Sequence, residues 1–249
     1  PTSGYVSAGQ LIASEGELVT AEIAQMLDSY KKEYEANLGY SGSKFLFWLG
    51  NIILSLMIVA LLFFVILFTS PGIFCDNRFY YILMIFLLAS ISAMIVVRIR
   101  EELLYMVPFT LFALLLQAFV KPKVIVPVYL VSLMPLLIFT HNGLLLFVMF
   151  SVAGVAAIYA FHFFARGWKQ VVVVGITFLV LSLTYAGFHM NDMATASILR
   201  INMFLAVASI LAWLGYPVVY LFEKLFNLVS NSRLAELSDT ANPVIRQLE

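Results

Sequence analysis

Phe45 to Thr69 reads FLFWLGNIILSLMIVALLFFVILFT, an unbroken apolar run without a charged side chain. A helix needs about 20 such residues to cross the hydrocarbon core of a bilayer, so the run predicts a transmembrane helix. Similar runs follow as far as Tyr220 and predict seven spans, at residues 45–69, 79–97, 103–120, 124–140, 143–164, 168–189 and 199–222. Strands are excluded, because the runs lack the period-two alternation of a membrane β-barrel.

The composition of the whole chain agrees with a lipid environment. Of the 249 residues, 63% are apolar and 11% are charged, whereas a soluble domain has about a quarter charged residues. The formal net charge is zero, which gives no electrostatic basis for a nucleic-acid partner. The partner predicted from composition is therefore the lipid bilayer.

The connectors between the predicted spans indicate the orientation. They are short, so consecutive helices are expected to be antiparallel neighbours. Most lysines and arginines lie in loops 70–78, 121–123 and 165–169 and in the C-terminal tail. The positive-inside rule places that side in the cytoplasm, although Arg98 and Arg100 lie on the opposite side.

The predicted fold class is an all-α membrane protein, a seven-transmembrane helix bundle with soluble extensions. Residues 1–44 form a short extracellular segment, in which 20–37 should be an amphipathic helix with Thr20 as its N-cap. Residues 45–222 form the bundle, and residues 223–249 form a cytoplasmic C-terminal helical tail.

Few titratable side chains lie inside the predicted spans. His162 and His189 are isolated, with no spacing typical of a metal site. All four acidic residues between 45 and 220 fall in connectors, namely Asp76, Glu101, Glu102 and Asp192. No catalytic residue, metal or cofactor is therefore predicted for this chain. A coupled transporter would need acidic residues at mid-membrane, and the predicted spans contain none. A small-solute transporter or channel is therefore the alternative function and not the preferred one.

The densest charged cluster of the membrane portion is the connector Arg98–Glu102, with sequence RIREE. One interpretation is a salt-bridged cap between the second and third spans. The other is an outward-facing ligand site made of Arg98, Arg100, Glu101 and Glu102. Arginines offer forked donors, so the ligand would be anionic or zwitterionic.

Two prolines inside spans predict bends. Pro135 should kink the fourth span, and Pro217 should bend the seventh near its membrane exit. Beyond Pro217, the spacing of Leu225, Leu228 and Leu234 predicts that the helix continues to a turn near Asn231.

Both ends of the chain resemble one family, the seven-transmembrane receptor HD phosphohydrolases. The N-terminal stretch GQLIASEGELVT, residues 9–20, resembles the end of that family's extracellular domain. The C-terminal stretch LAELSDTANPVIRQL, residues 234–248, resembles its junction with the HD domain, with Val244 and Ile245 in place of the usual leucines. The resemblance assigns a coupling junction to Pro217, Glu223, Leu234, Glu236, Leu237, Asp239, Asn242 and Pro243.

The resemblance implies a receptor of the bacterial cell (inner) membrane that hydrolyses cyclic di-AMP. The hydrolase would be an HD domain that starts shortly after Glu249, where a His/Asp cluster would bind two divalent transition-metal ions. This chain would be the sensing and anchoring module between the extracellular and HD domains, and not itself an enzyme.

Small residues in two of the predicted spans are compatible with a homodimer. Gly154 with Ala157, and Ala206 with Ser209, would let helices approach closely. They would serve equally well for packing within one bundle.

Overall fold

The computed structural model describes residues 18–37, 44–164, 170–191, 193–194, 196–213 and 215–230. This part of the chain is helical and contains no strand. Its α-helices are α1 (Ala21–Asn37), α2 (Lys44–Thr69), α3 (Asn77–Ile99), α4 (Phe109–Phe119), α5 (Pro122–Leu133), α6 (Pro135–Phe139), α7 (Gly143–Phe164), α8 (Gln170–Met190), α9 (Ile198–Trp213) and α10 (Gly215–Phe226). Two short 3-10 helices, Pro71–Cys75 and Glu101–Met106, precede α3 and α4.

The described helices give six segments that are long and apolar enough to cross a bilayer. They are Trp48–Thr69, Asn77–Ile99, Glu101–Phe119, Pro122–Phe139, Gly143–Phe161 and Val171–Met190. A seventh results if α9 and α10 count as one bent span. Length and composition thus indicate a multi-pass helical membrane protein, and the segments match the predicted spans closely.

Prolines explain the interruptions within these segments. Pro135 lacks an N–H for the carbonyl of Val131, and α5 accordingly ends at Leu133 before α6 begins. Pro217 likewise cannot donate to Trp213, and the axes of Ile198–Trp213 and Pro217–Phe226 differ by 48°.

The chain divides into two compact units, Pro1–Leu54 and Ser55–Glu249. In the first unit, the Ile23 N–H donates to the Thr20 hydroxyl at 3.4 Å, so Thr20 is the N-cap of α1 as predicted. The second unit contains the remainder of α2 and helices α3 to α10.

Three buried tyrosines join the helices of the second unit. Their hydroxyls donate to backbone carbonyls of other segments, Tyr81 to Leu115 at 2.7 Å, Tyr129 to Phe150 at 2.8 Å, and Tyr185 to Ala196 at 2.9 Å. A buried hydroxyl without water must find an acceptor inside the protein, so each bond favours one packing of its helices.

Helix α2 differs from the other helices of the second unit. From Ser55 onward its buried side chains are those of Leu62 and Ile66, and most of its other large apolar residues are exposed. The segment Trp48–Thr69 also has the highest mean hydropathy of the six, at 3.1. Such a surface suits contact with lipid.

Candidate ligand-binding site

The RIREE cluster occupies a tight junction between two helices rather than an open loop. Arg98 lies in the last turn of α3, Arg100 alone separates the helices, and Glu101 begins the 3-10 helix that leads into α4. The predicted five-residue connector is therefore much shorter in the structure. Both arginines are exposed, whereas Glu101 and Glu102 are partly buried.

The two glutamates line a cavity of about 200 Å³ at this end of the second unit. The other lining residues come from the 3-10 helix, the start of α7 with the residue before it, the C-terminal part of α8 and the segment before α9: Tyr105, Asn142, Leu145, Leu146, Tyr185, Met193, Ala194 and Ala196. Leu146 and Tyr185 form a fully buried floor, while Asn142 and Met193 are exposed at the rim. The cavity is therefore a polar recess closed below by apolar and aromatic groups.

Each glutamate connects the 3-10 helix to another element. Glu101 Oε1 accepts the backbone N–H of Asn142 at 2.9 Å, just before α7. Glu102 Oε2 lies 2.7 Å from Nη2 of Arg200, in the first turn of α9. Both members of this ion pair are about half exposed, so the pair contributes little to stability.

Two tyrosine rings form the aromatic side of the recess. Tyr105 and Tyr185 meet edge to face, with ring centroids 5.6 Å apart. The Tyr185 hydroxyl already donates a hydrogen bond to the carbonyl of Ala196. The Tyr105 side chain is only 6% exposed, and its hydroxyl has no hydrogen-bond partner within the described ranges.

His189 stabilises the segment that closes the recess. Its Nδ1 lies 2.8 Å from the carbonyl oxygen of Ala194. A carbonyl only accepts, so Nδ1 carries the hydrogen and donates it. The bond gives this isolated histidine a structural contact and positions a lining residue.

The arrangement brings together only part of the predicted site. Glu101 and Glu102 line the cavity, whereas Arg98 and Arg100 do not. Sequence reasoning missed both tyrosines. Tyr105 follows Glu102 by three residues, one turn of the 3-10 helix, a spacing that places both on one face. Nothing local connects Tyr105 with Tyr185, which is far away in sequence.

The predicted junction residues that the structure describes lie at the end of α10. The side chain of Glu223 is 9% exposed, and its Oε1 accepts the N–H of Ser230 at 3.1 Å. Pro217 is exposed in the first turn of α10. The other predicted junction residues lie outside the described residues: Leu234, Glu236, Leu237, Asp239, Asn242 and Pro243.

The predicted continuation of the last helix to Asn231 is wrong. Helix α10 ends at Phe226, and Asn227 has a left-handed backbone with φ of 52°. The Leu228 N–H then donates to the Glu223 carbonyl at 3.1 Å. This is a Schellman C-cap, in which asparagine takes the position that glycine usually holds.

Aromatic packing attaches the end of α10 to the start of α3. The Tyr81 ring contacts Phe222 and Phe226 edge to face, with centroids 5.7 and 5.6 Å away. Asn77 Nδ2 donates to the Phe226 carbonyl at 3.1 Å. The end of α10 is thus held against the start of α3.

Among the described residues, no three or more His, Cys, Asp or Glu side chains lie close enough to hold a metal ion. No protein-family model matches the chain, and neither a curated protein nor a solved structure matches it significantly. The family resemblance therefore stays a prediction.

Proposed function

We propose that this chain is the transmembrane sensing and anchoring module of a bacterial cyclic-di-AMP phosphodiesterase. In this proposal α9 and α10 together form the seventh span in the cell (inner) membrane. The N-terminal segment and the polar cavity face outward, and the C-terminus lies in the cytoplasm. The HD domain and its two metal ions would follow the tail.

The phosphodiesterase is proposed from the resemblance at both ends of the chain. The observation that supports a transmitting role is that the last span has contacts at both ends of the bundle. At its first turn Arg200 pairs with Glu102 on the cavity. At its other end Phe222 and Phe226 pack on Tyr81, beside the start of the tail. The bent pair α9 and α10 therefore contacts the polar recess at one end and the start of α3 at the other.

This geometry suggests how a signal would pass. The Glu102–Arg200 ion pair is half exposed and weak. Ligand binding at the cavity that favours the broken ion pair can therefore release the first turn of α9. The bend at Pro217 would then let α9 move relative to α10 in a hinge motion. A displaced α10 would reorient the tail and the domain attached to it.

The test uses the full-length parent protein. A short glycine insertion after Asn231 should leave basal hydrolysis intact and abolish its regulation from outside, because the tail would no longer transmit a rotation. The same insertion after Gly72, an exposed glycine with open space around it, is the matched control. Regulation that survives the insertion after Asn231 would overturn rigid transmission.

Flux measurements test the alternative function of small-solute transporter or channel. The chain is reconstituted into liposomes and solute uptake is followed. Uptake above that of protein-free liposomes would favour transport and overturn the proposal, whereas tight liposomes are expected from a sensing module.

A further inference from the structure

We propose that the cavity at Glu101 and Glu102 binds a small organic ammonium ion. Binding to the cavity does not depend on the proposed coupling to a hydrolase. Only its effect on α9 rests on the proposed function.

The charge of the lining selects a cation. The lining contains two carboxylates and, within the described ranges, no lysine, arginine or histidine. Glu102 is balanced by Arg200, but Glu101 makes no ion pair in the part of the chain that the structure describes. Its backbone partner at Asn142 uses one oxygen and carries no full positive charge. An anionic ligand would therefore be repelled here.

The Tyr105 hydroxyl supplies a second, independent indication of a ligand. It belongs to a side chain that is 94% buried, as its 6% exposure shows, and it lines the cavity without a hydrogen-bond partner in the described residues. The hydroxyl oxygen itself is accessible, so a group bound in the cavity can reach it. Glu101 and Glu102 line the same cavity, and an ammonium group bound beside either carboxylate has further N–H groups to donate to the hydroxyl oxygen.

The aromatic rings and the volume favour an organic cation over a metal ion. Aromatic rings attract ammonium groups by cation–π interaction, and Tyr105 and Tyr185 are among the lining residues. A volume of about 200 Å³ far exceeds that of a single ion, yet is below the roughly 300 Å³ at which drug-sized pockets begin. The ligand would thus be an ammonium group with a short carbon chain.

The ammonium group would also compete with Arg200 for Glu102. Two cations cannot both be placed at 2.7 Å from one carboxylate without repulsion. Occupation of the cavity would therefore weaken the contact that holds the first turn of α9, which is the change the proposed function requires.

Titration of the intact chain in lipid-free detergent tests the inference, with ethylammonium chloride as the probe. Saturable binding is expected by calorimetry, together with a higher unfolding temperature. Glu101→Gln keeps the oxygen that accepts the Asn142 N–H but removes the charge, so binding should weaken roughly tenfold or more. Tyr105→Phe keeps the ring and should weaken binding by a smaller factor.

Asp76→Asn is the matched control. It makes the same chemical change at the other end of α3, beside Arg78, and should bind like the wild type. Equal binding by Glu101→Gln and wild type would overturn the proposal. So would the absence of saturable binding, or an equal temperature shift with sodium chloride. If Glu101→Gln does not fold, Tyr105→Phe is compared with the wild type instead. Equal ethylammonium binding by these two proteins would overturn the proposal.

Nanodiscs distinguish two sources of the ammonium group, a free amine and an ethanolamine lipid headgroup. Unchanged ethylammonium affinity in phosphatidylethanolamine nanodiscs, relative to phosphatidylglycerol nanodiscs, indicates a free amine. Weakened affinity indicates that the lipid headgroup occupies the cavity. Both results support the ammonium site and assign its ligand.

Discussion

Gly154 allows α7 to lie against the ring of Tyr129 on α5. A Cβ atom at this position would overlap the ring carbons and the hydroxyl oxygen. The ring cannot withdraw easily, since Tyr129 is fully buried and its hydroxyl donates to Phe150 on the same helix as Gly154. The small residue therefore serves packing inside the bundle, as glycine commonly does between membrane helices.

Replacement of Gly154 by alanine should destabilise the protein by about 1–3 kcal/mol, the usual cost of overpacking. Thermal unfolding in detergent measures the change. Gly175→Ala is the matched control, because the space around Gly175 in α8 is open. It should be neutral or stabilise by up to about 1 kcal/mol, from the better helix propensity of alanine. Equal effects of both substitutions would contradict the packing argument.

At the scale of the element, the end of α10 depends on a left-handed residue. Asn227→Val should destabilise the cap by about 1–2 kcal/mol, because a branched side chain clashes at positive φ. Asn227→Gly should preserve it. Hydrogen exchange at the Leu228 and Ser230 amides, which both bond to Glu223, provides a local readout. Exchange should accelerate roughly tenfold in the valine variant, and unchanged exchange would argue against the cap.

The helices differ in how well the sequence predicts their limits and contacts. The predicted span 143–164 has the same limits as α7, since a turn and a basic loop bound its apolar run. The end at Phe226 was missed because leucine spacing favoured continuation, whereas Asn227 is a stop signal only if it adopts the left-handed conformation. The Tyr105–Tyr185 contact was beyond prediction, because it depends on how distant helices pack.

At the scale of the whole molecule, the proposed seven crossings can be tested with the single cysteine of the chain. Cys75 is exposed and lies before α3, on the side proposed to be cytoplasmic. In intact cells, a membrane-impermeant maleimide should fail to label Cys75 until the membrane is permeabilised. In a Cys75→Ser background, Asn142→Cys should be labelled at once, because Asn142 is exposed at the opposite end of the bundle. The reverse pattern would invert the orientation.

The exposed apolar surface of α2 has a consequence for how the protein is made. The segment Trp48–Thr69, with its mean hydropathy of 3.1, can leave the translocon alone, since it needs few partners in lipid. The segment Glu101–Phe119 has a mean hydropathy of 1.7 and begins with two glutamates. It should wait at the translocon until α7, α8 and α9 have emerged to receive it, because Asn142, Tyr185 and Arg200 supply its contacts. Synthesis would then proceed from an early, self-sufficient anchor to a bundle that assembles late and together.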